Sequence, residues 1–244
     1  MQAIETTNLV KKYGDKIVVN SLNLTVEKGE LFALLGGNGA GKTTTIKMLS
    51  CLSKPTSGDA IILGESVVSN PKDVKSKINI SPQENAVASN LTVRENLELI
   101  AGIYGNDKNA ALSKVDEIIS TFGLTAVAKD KAKTLSGGWQ RRLSIAMALV
   151  SEPQILFLDE PTLGLDVIAR RELWTAIERL KGKITIILTT HYMEEAESLS
   201  DRIGVMVNGR LKAIGTAEEL KKLTNAEKFE DAFIALVSES EVSS

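Results

Sequence analysis

The chain has 244 residues, 43% hydrophobic and 25% charged, which are ordinary values for a globular protein with a real core, built as one large domain or one domain with a sizeable insertion. Its 29 basic and 31 acidic residues leave a net charge of −2, so the broad basic footprint of a nucleic-acid binder is missing. The longest apolar runs, "ILFL" and "ITIIL", fall far short of the ~18 residues that cross a bilayer, and "MQAIETTNLVKK" predicts no signal peptide.

In chain order, strand-like "AIETTNLV" and "IVVNSLNLTV" flank a turn at "KYGD" and predict an antiparallel N-terminal piece. Tyr13, in that turn, is placed to stack its ring on an adenine. "ELFALLG" is then a compact apolar strand running into "GGNGAGKTTT", and "KTTTIKMLSCL" behind it has helical spacing. Residues 36–43 fit G-x-x-x-x-G-K-[ST] in full, in the strand, loop and helix setting that makes a phosphate loop credible. Gly36, Gly37, Asn38, Gly39, Ala40 and Gly41 would wrap phosphate oxygens, with Lys42 on the β and γ phosphates and Thr44 just beyond. The Thr43 hydroxyl would ligate Mg²⁺, so ATP and Mg²⁺ are the expected ligands. Cys51, the single cysteine, has no internal partner, fits a reducing compartment and reads as a core thiol.

From about Ser81 to Thr134 the pattern turns to helix without strand, which predicts a small helical subdomain, about residues 85–135, inserted into an α/β core. Gln83 sits at the junction and is expected to meet Mg²⁺ or the attacking water. Thr92 and Glu95 form a candidate capping box opening "VRENLELIAGIY", and "ALSKVDEIISTFGL" follows with helical period. "TLSGGWQRR" then presents a second small-residue loop leading into a helix, as if to cradle another anion.

"QILFLDEP" and "KITIILTTH" read as buried parallel strands joined through a helix at "VIARRELWTAIERL". A buried strand ending in two carboxylates needs a reason for them: Asp159 would hold Mg²⁺ through water and Glu160 would act as general base. His191, the sole histidine, follows the next strand and is placed to bond the γ phosphate. "RIGVMVNGRLKAIG" carries Asn208-Gly209 between apolar alternations, a hairpin signal. A last helix, "EKFEDAFIAL", sets Phe229, Ala232, Phe233 and Leu236 on one face, as core or as a dimer contact, before a polar tail.

Taken together, "GGNGAGKTT", "LSGGWQRR", "LFLDEPTLGLD" and "TTH", in that order, resemble the nucleotide-binding domain of ATP-binding cassette (ABC) transporters over about residues 2–220. The resemblance implies an α/β P-loop NTPase core with a mainly parallel sheet, an N-terminal antiparallel β subdomain and an inserted α-helical subdomain, spanning residues 1–222, with 223–244 as C-terminal helix and tail. It implies a homodimer in which Ser136, Gly137, Gly138 and Asp166 of one copy complete the ATP site of the other. It further implies ATP hydrolysis for export through integral-membrane permease subunits at the cytoplasmic face of the cell membrane, with no nucleic acid bound. The competing reading is a non-transport ABC ATPase acting on nucleic acid or ribosomes. Two departures stand out: Trp139 where glutamine is common after Leu-Ser-Gly-Gly, and "LGLD" in place of Ser-Ala-Leu-Asp.

Overall fold

The computed structural model describes residues 1–105 and 108–238; the expected polar tail reaches into 239–244, outside the described residues. The chain opens with β1 (Gln2–Tyr13), β2 (Lys16–Leu22) and β3 (Thr25–Glu27), and β1 pairs antiparallel with both. The stretch expected as one second strand is thus broken in two, and Ser21 turns into the left-handed region, φ 51°, where β2 ends. After β4 (Leu31–Leu35) and α1 (Lys42–Leu49), β5 (Ser57–Ile62) and β6 (Glu65–Ser66) rejoin the first sheet, whose order is β2-β1-β5-β6. Cys51 is half-buried at the edge of this region, because the chain swings out of α1 there with φ 56°. The expected core thiol is therefore a boundary residue.

Next come α2 (Pro71–Lys77), β7 (Ile78–Ser81), α3 (Val93–Ile103), α4 (Lys108–Thr121) and α5 (Gly137–Leu149). The capping box of α3 is formed: Thr92 Oγ1 accepts from the Glu95 N–H at 3.1 Å, and Glu95 Oε2 accepts from the Thr92 N–H at 2.7 Å. Among the described residues no strand lies between β7 and α5, apart from a single bridge of Thr92 with Lys131.

The chain continues through β8 (Ile155–Asp159), α6 (Val167–Glu178), β9 (Thr185–Thr190) and α7 (Met193–Leu199), then β10 (Arg202–Val207) and β11 (Arg210–Gly215). The second sheet has order β11-β10-β4-β9-β8-β7 and is parallel except for the last hairpin. That hairpin turns on Asn208, φ 47°, and Gly209, φ 78°, the two positive values its tight turn requires. Strands β4, β8 and β9 are buried at every residue, which is why they read as unbroken apolar runs.

Helices α8 (Ala217–Leu223) and α9 (Phe229–Ser238) close the described chain. Phe229 and Leu236 join the main hydrophobic core, Phe233 packs half-buried on it and Ala232 is buried, so the apolar face of the last helix is core. Among the described residues no helix is long and apolar enough to cross a membrane. What matters for function is the register: Leu35 pairs with Thr190 and Asp159 with Thr189, so the carboxyl ends of β4, β9 and β8 open into one crevice.

Candidate nucleotide site

Gly41 hands the loop after β4 to α1 with φ 101°, and a Cβ there would lie 2.7 Å from the Val18 carbonyl oxygen. Only glycine fits both demands. Its lack of a side chain leaves the first turn of α1 uncapped, and that turn holds no acidic residue. Free N–H groups and the positive helix end therefore face the crevice, ready for an anion.

Lys42 is 5% exposed and folds back over its own loop. Its Nζ donates to the carbonyls of Gly36 at 2.7 Å and Gly37 at 3.2 Å, and lies 3.1 Å from Glu160 Oε1. Glu160 Oε2 is 2.7 Å from His191 Nδ1. One buried carboxylate thus ties the loop lysine of one strand end to the histidine of another. Glu160 itself is held at φ 48°, uncommon for a residue with a side chain, by its N–H bonding Thr189 through the backbone oxygen at 3.1 Å and Oγ1 at 3.0 Å.

Asp159 Oδ1 accepts from the hydroxyls of Thr43 at 3.0 Å and Thr189 at 2.6 Å. A threonine hydroxyl beside a carboxylate is a hard oxygen set that suits Mg²⁺, which takes few protein ligands and leaves the rest to phosphate and water. Among the described residues no group of three His, Cys, Asp or Glu gathers as a self-sufficient metal cage, in keeping with that division.

These groups border a cavity of about 330 Å³ lined by the loop from Asn38 to Thr44 together with Gln83, Glu160, Leu163 and His191. Gly36 and Gly37 enter through their carbonyls on Lys42, and Asp159 through Thr43. Tyr13 does not line the cavity; its ring is 52% exposed at the end of β1, with Lys11 Nζ 5.0 Å from its centroid. Ser136, Gly137, Gly138 and Asp166 are also absent from the lining. Ser136 and Gly137 are exposed at the start of α5, and Asp166 caps α6 by accepting from the Ala169 N–H at 2.9 Å.

Two residues went unassigned in the sequence. Arg141 of α5 is 4% exposed and donates to the carbonyls of Asp159 and Pro161, both at 2.9 Å, and to that of Pro82, with Gln83 at 3.4 Å. Burial lowers its pKa to about 10, against the charges of Asp159 and Glu195, so it stays a cation at neutral pH. It pins the end of β8 to the Gln83 loop. Thr189 is the other, bonding Asp159 and Glu160 together. Arg141 stands between Gln140 and Arg142, so no local pattern marked it as the arginine that reaches the site, and Thr189 had no signal beyond its strand.

The profile of the ABC transporter family matches residues 19–163. The chain belongs to that family. Among ABC relatives, the "Probable multidrug ABC transporter ATP-binding protein YbhF" of Escherichia coli (strain K12) is 41% identical over 240 residues, 96% of this chain but 41% of that protein. The chain therefore spans less than half the length of that relative. The "Nod factor export ATP-binding protein I" of Burkholderia lata is 44% identical over 219 residues, covering 89% of this chain and 72% of that one. Among solved structures, a dimeric ATP-binding cassette in a post-hydrolysis state bound to ADP and Pi superposes with a TM-score of 0.77 at 26% identity, covering 87% and 98% of the two chains.

Proposed function

We propose that this chain is the ATP-hydrolysing subunit of an ABC export system, a homodimer that drives separate integral-membrane permease subunits from the cytoplasmic face of the membrane. The ATPase domain would be residues 1–222, with the helical insertion at about 85–135 and the last helix and tail appended. The observation that carries the reading is the cluster of buried Lys42 and Glu160 with half-buried His191 at the mouth of an uncapped helix. The export direction is supported by the names of the relatives just described, one of them a Nod factor exporter.

On ATP binding, Lys42 exchanges Glu160 and the loop carbonyls for the β and γ phosphates. Tyr13 would stack on the adenine from the end of β1. Glu160, released from the lysine and still held by His191, accepts a proton from the attacking water as its oxygen bonds the γ phosphorus and the bond to the β-phosphate oxygen breaks. Thr43, Gln83 and Asp159, the last through water, would hold Mg²⁺, which when bound neutralises charge on the β and γ phosphates. Gln83 shares Arg141 with the end of β8, so the loop to the helical subdomain and the reacting carboxylates move as one unit. Ser136, Gly137, Gly138 and Asp166 would serve the ATP of a second copy.

Glu160→Gln tests this reading. It should bind ATP as the wild type does, lose at least about 100-fold in turnover, roughly 3 kcal/mol of barrier, and convert from monomer to dimer in light scattering when ATP is added. Near-normal turnover removes Glu160 from the role of base.

A further inference from the structure

Helix α6 leaves the Asp166 turn and faces α7 through two polar contacts. Trp174 donates its indole N–H to Glu195 Oε1 at 3.1 Å, and the Arg170 guanidinium lies 4.4 Å from the centroid of the Tyr192 ring. Arg170 and Trp174 are four residues apart on α6, and Tyr192 and Glu195 three apart at the start of α7, so both contacts lie on one face of each helix. The Tyr192 ring is in turn 4.1 Å, centroid to centroid, from the ring of His191, which reaches Glu160. A path of side-chain contacts therefore runs from Arg170, in the first turn of the helix that Asp166 caps, to the proposed base.

Beside that path, Glu195 is the costly group on the same faces of the two helices. It is 0% exposed, and burial raises its pKa above the ordinary carboxylate value although Thr190, Thr162 and Trp174 favour the charged form; its Oε2 has no hydrogen bond of normal geometry among the described residues. Its neighbours on α7, Ala196 and Leu199, fill the core with apolar groups, so packing alone gives no reason for an acid there. The hydrogen bond to Trp174 gives one.

We propose that Glu195 and Trp174 are positioning residues that clamp α7 to α6, so that His191 faces Glu160 only while α6 and the Asp166 turn are in place. The inference rests on the roles given to Glu160 and His191 above. The state of the Asp166 turn, which the second copy would contact, then sets the histidine, and the two ends of the shared site report on each other.

His191 is the sole histidine of the chain, so its ring gives one set of imidazole ¹H–¹⁵N signals in the full-length protein. Wild-type protein should show a single ring environment with the proton on Nδ1, the atom facing Glu160. Trp174→Phe, which removes one N–H and keeps an aromatic ring, and Glu195→Leu should move those signals toward a freely rotating imidazole. Both should lower kcat about tenfold with ATP affinity unchanged. Glu195→Gln keeps the acceptor oxygen and should retain both the wild-type spectrum and turnover. A His191 spectrum unmoved in Trp174→Phe overturns the clamp, whatever happens to turnover, and so does a loss in Glu195→Gln as deep as in Glu195→Leu. Failure of the underlying site reading is separate, because it appears as rapid hydrolysis by Glu160→Gln.

Discussion

Helix α1 follows a glycine-rich loop and α5 opens on two glycines, and neither has a side-chain cap or an acid in its first turn. Their surroundings are opposite. The start of α1 is enclosed, with Lys42 at 5% exposure and Asp159 and Glu160 at 4% and 7% beside it. At the start of α5, Ser136 and Gly137 lie open to solvent. Helix α3 shows the usual remedy, a capping box that satisfies its own free N–H groups. A helix end left open has orphan donors that a ligand or water must meet. Around the start of α1 the chain gathers a lysine, a threonine hydroxyl and two carboxylates, whereas the start of α5 faces solvent, where the proposed second copy would meet it.

The most damaging way to break the contrast is to disable one end in each of two chains. Lys42→Ala empties the enclosed cradle and Ser136→Arg blocks the open one, and each alone should lose on the order of 100-fold in ATPase rate. Mixed in equal amounts, they form heterodimers in which one site carries both lesions and the other carries neither. Measurable recovery of turnover in such mixtures is the expected result. Heterodimers shown to form, yet as inactive as either parent, would mean that the α5 end serves no site across the interface or that both sites must fire together.

A smaller effect is expected at Gly138, where the two ends differ in what demands the glycine. At Gly137 an added Cβ would meet nothing within 4 Å, but at Gly138 it would lie 2.9 Å from the Cβ of Ala169, on the helix that Asp166 caps. Gly138→Ala should therefore push α5 off α6, an overpacking cost of about 1–3 kcal/mol set against about 1 kcal/mol gained in helix propensity. Thermal unfolding and ATP-driven dimerisation should both weaken, and Ala169→Gly in the same chain should restore them. Gly137→Ala should leave stability intact. If Gly138→Ala behaves the same way, the contact with Ala169 is not what the glycine is for.

How legible all this was in the sequence follows the same division. The enclosed cradle was readable residue by residue, because Lys42 and Thr43 close a full phosphate-loop motif, and Asp159 and Glu160 end a buried strand where charge needs an explanation. Its packing was not: Arg141, Thr189 and the Trp174–Glu195 bond join residues 18 to 59 positions apart, and no local period announces them. In the fold, the fully buried strands and the Asn208-Gly209 hairpin stood out, while β5, β6, α2 and β7 did not. Those four are short, and none is buried at more than half of its residues, so their hydrophobic pattern is too brief to carry a period. Tyr13 was read as a nucleotide contact from its turn, and the turn is there, but its ring stays outside the cavity lining.

The smallest expected effect concerns Trp139, which occupies the third position of α5. A glutamate or glutamine there would complete Ser-x-x-Glu or Ser-x-x-Gln with Ser136, the pattern that closes α3. Tryptophan has no acceptor for that bond and instead lies under Arg142, whose guanidinium carbon is 4.7 Å from the ring centroid. Arg142 in turn pairs with Glu172 on α6. Trp139→Glu should gain a cap worth about 0.5–1 kcal/mol and forfeit a cation–π contact of similar size, ~0.5–1 kcal/mol, so thermal stability should hardly move. Dimerisation should respond nonetheless: a carboxylate at the open end repels the phosphate of a second copy's ATP and competes for the same N–H groups. A several-fold rise in the ATP concentration needed for dimerisation of the Glu160→Gln protein, with Trp139→Gln nearer the wild type, would tie the openness of α5 to anion binding. Equal behaviour of all three would leave that openness without a role in assembly.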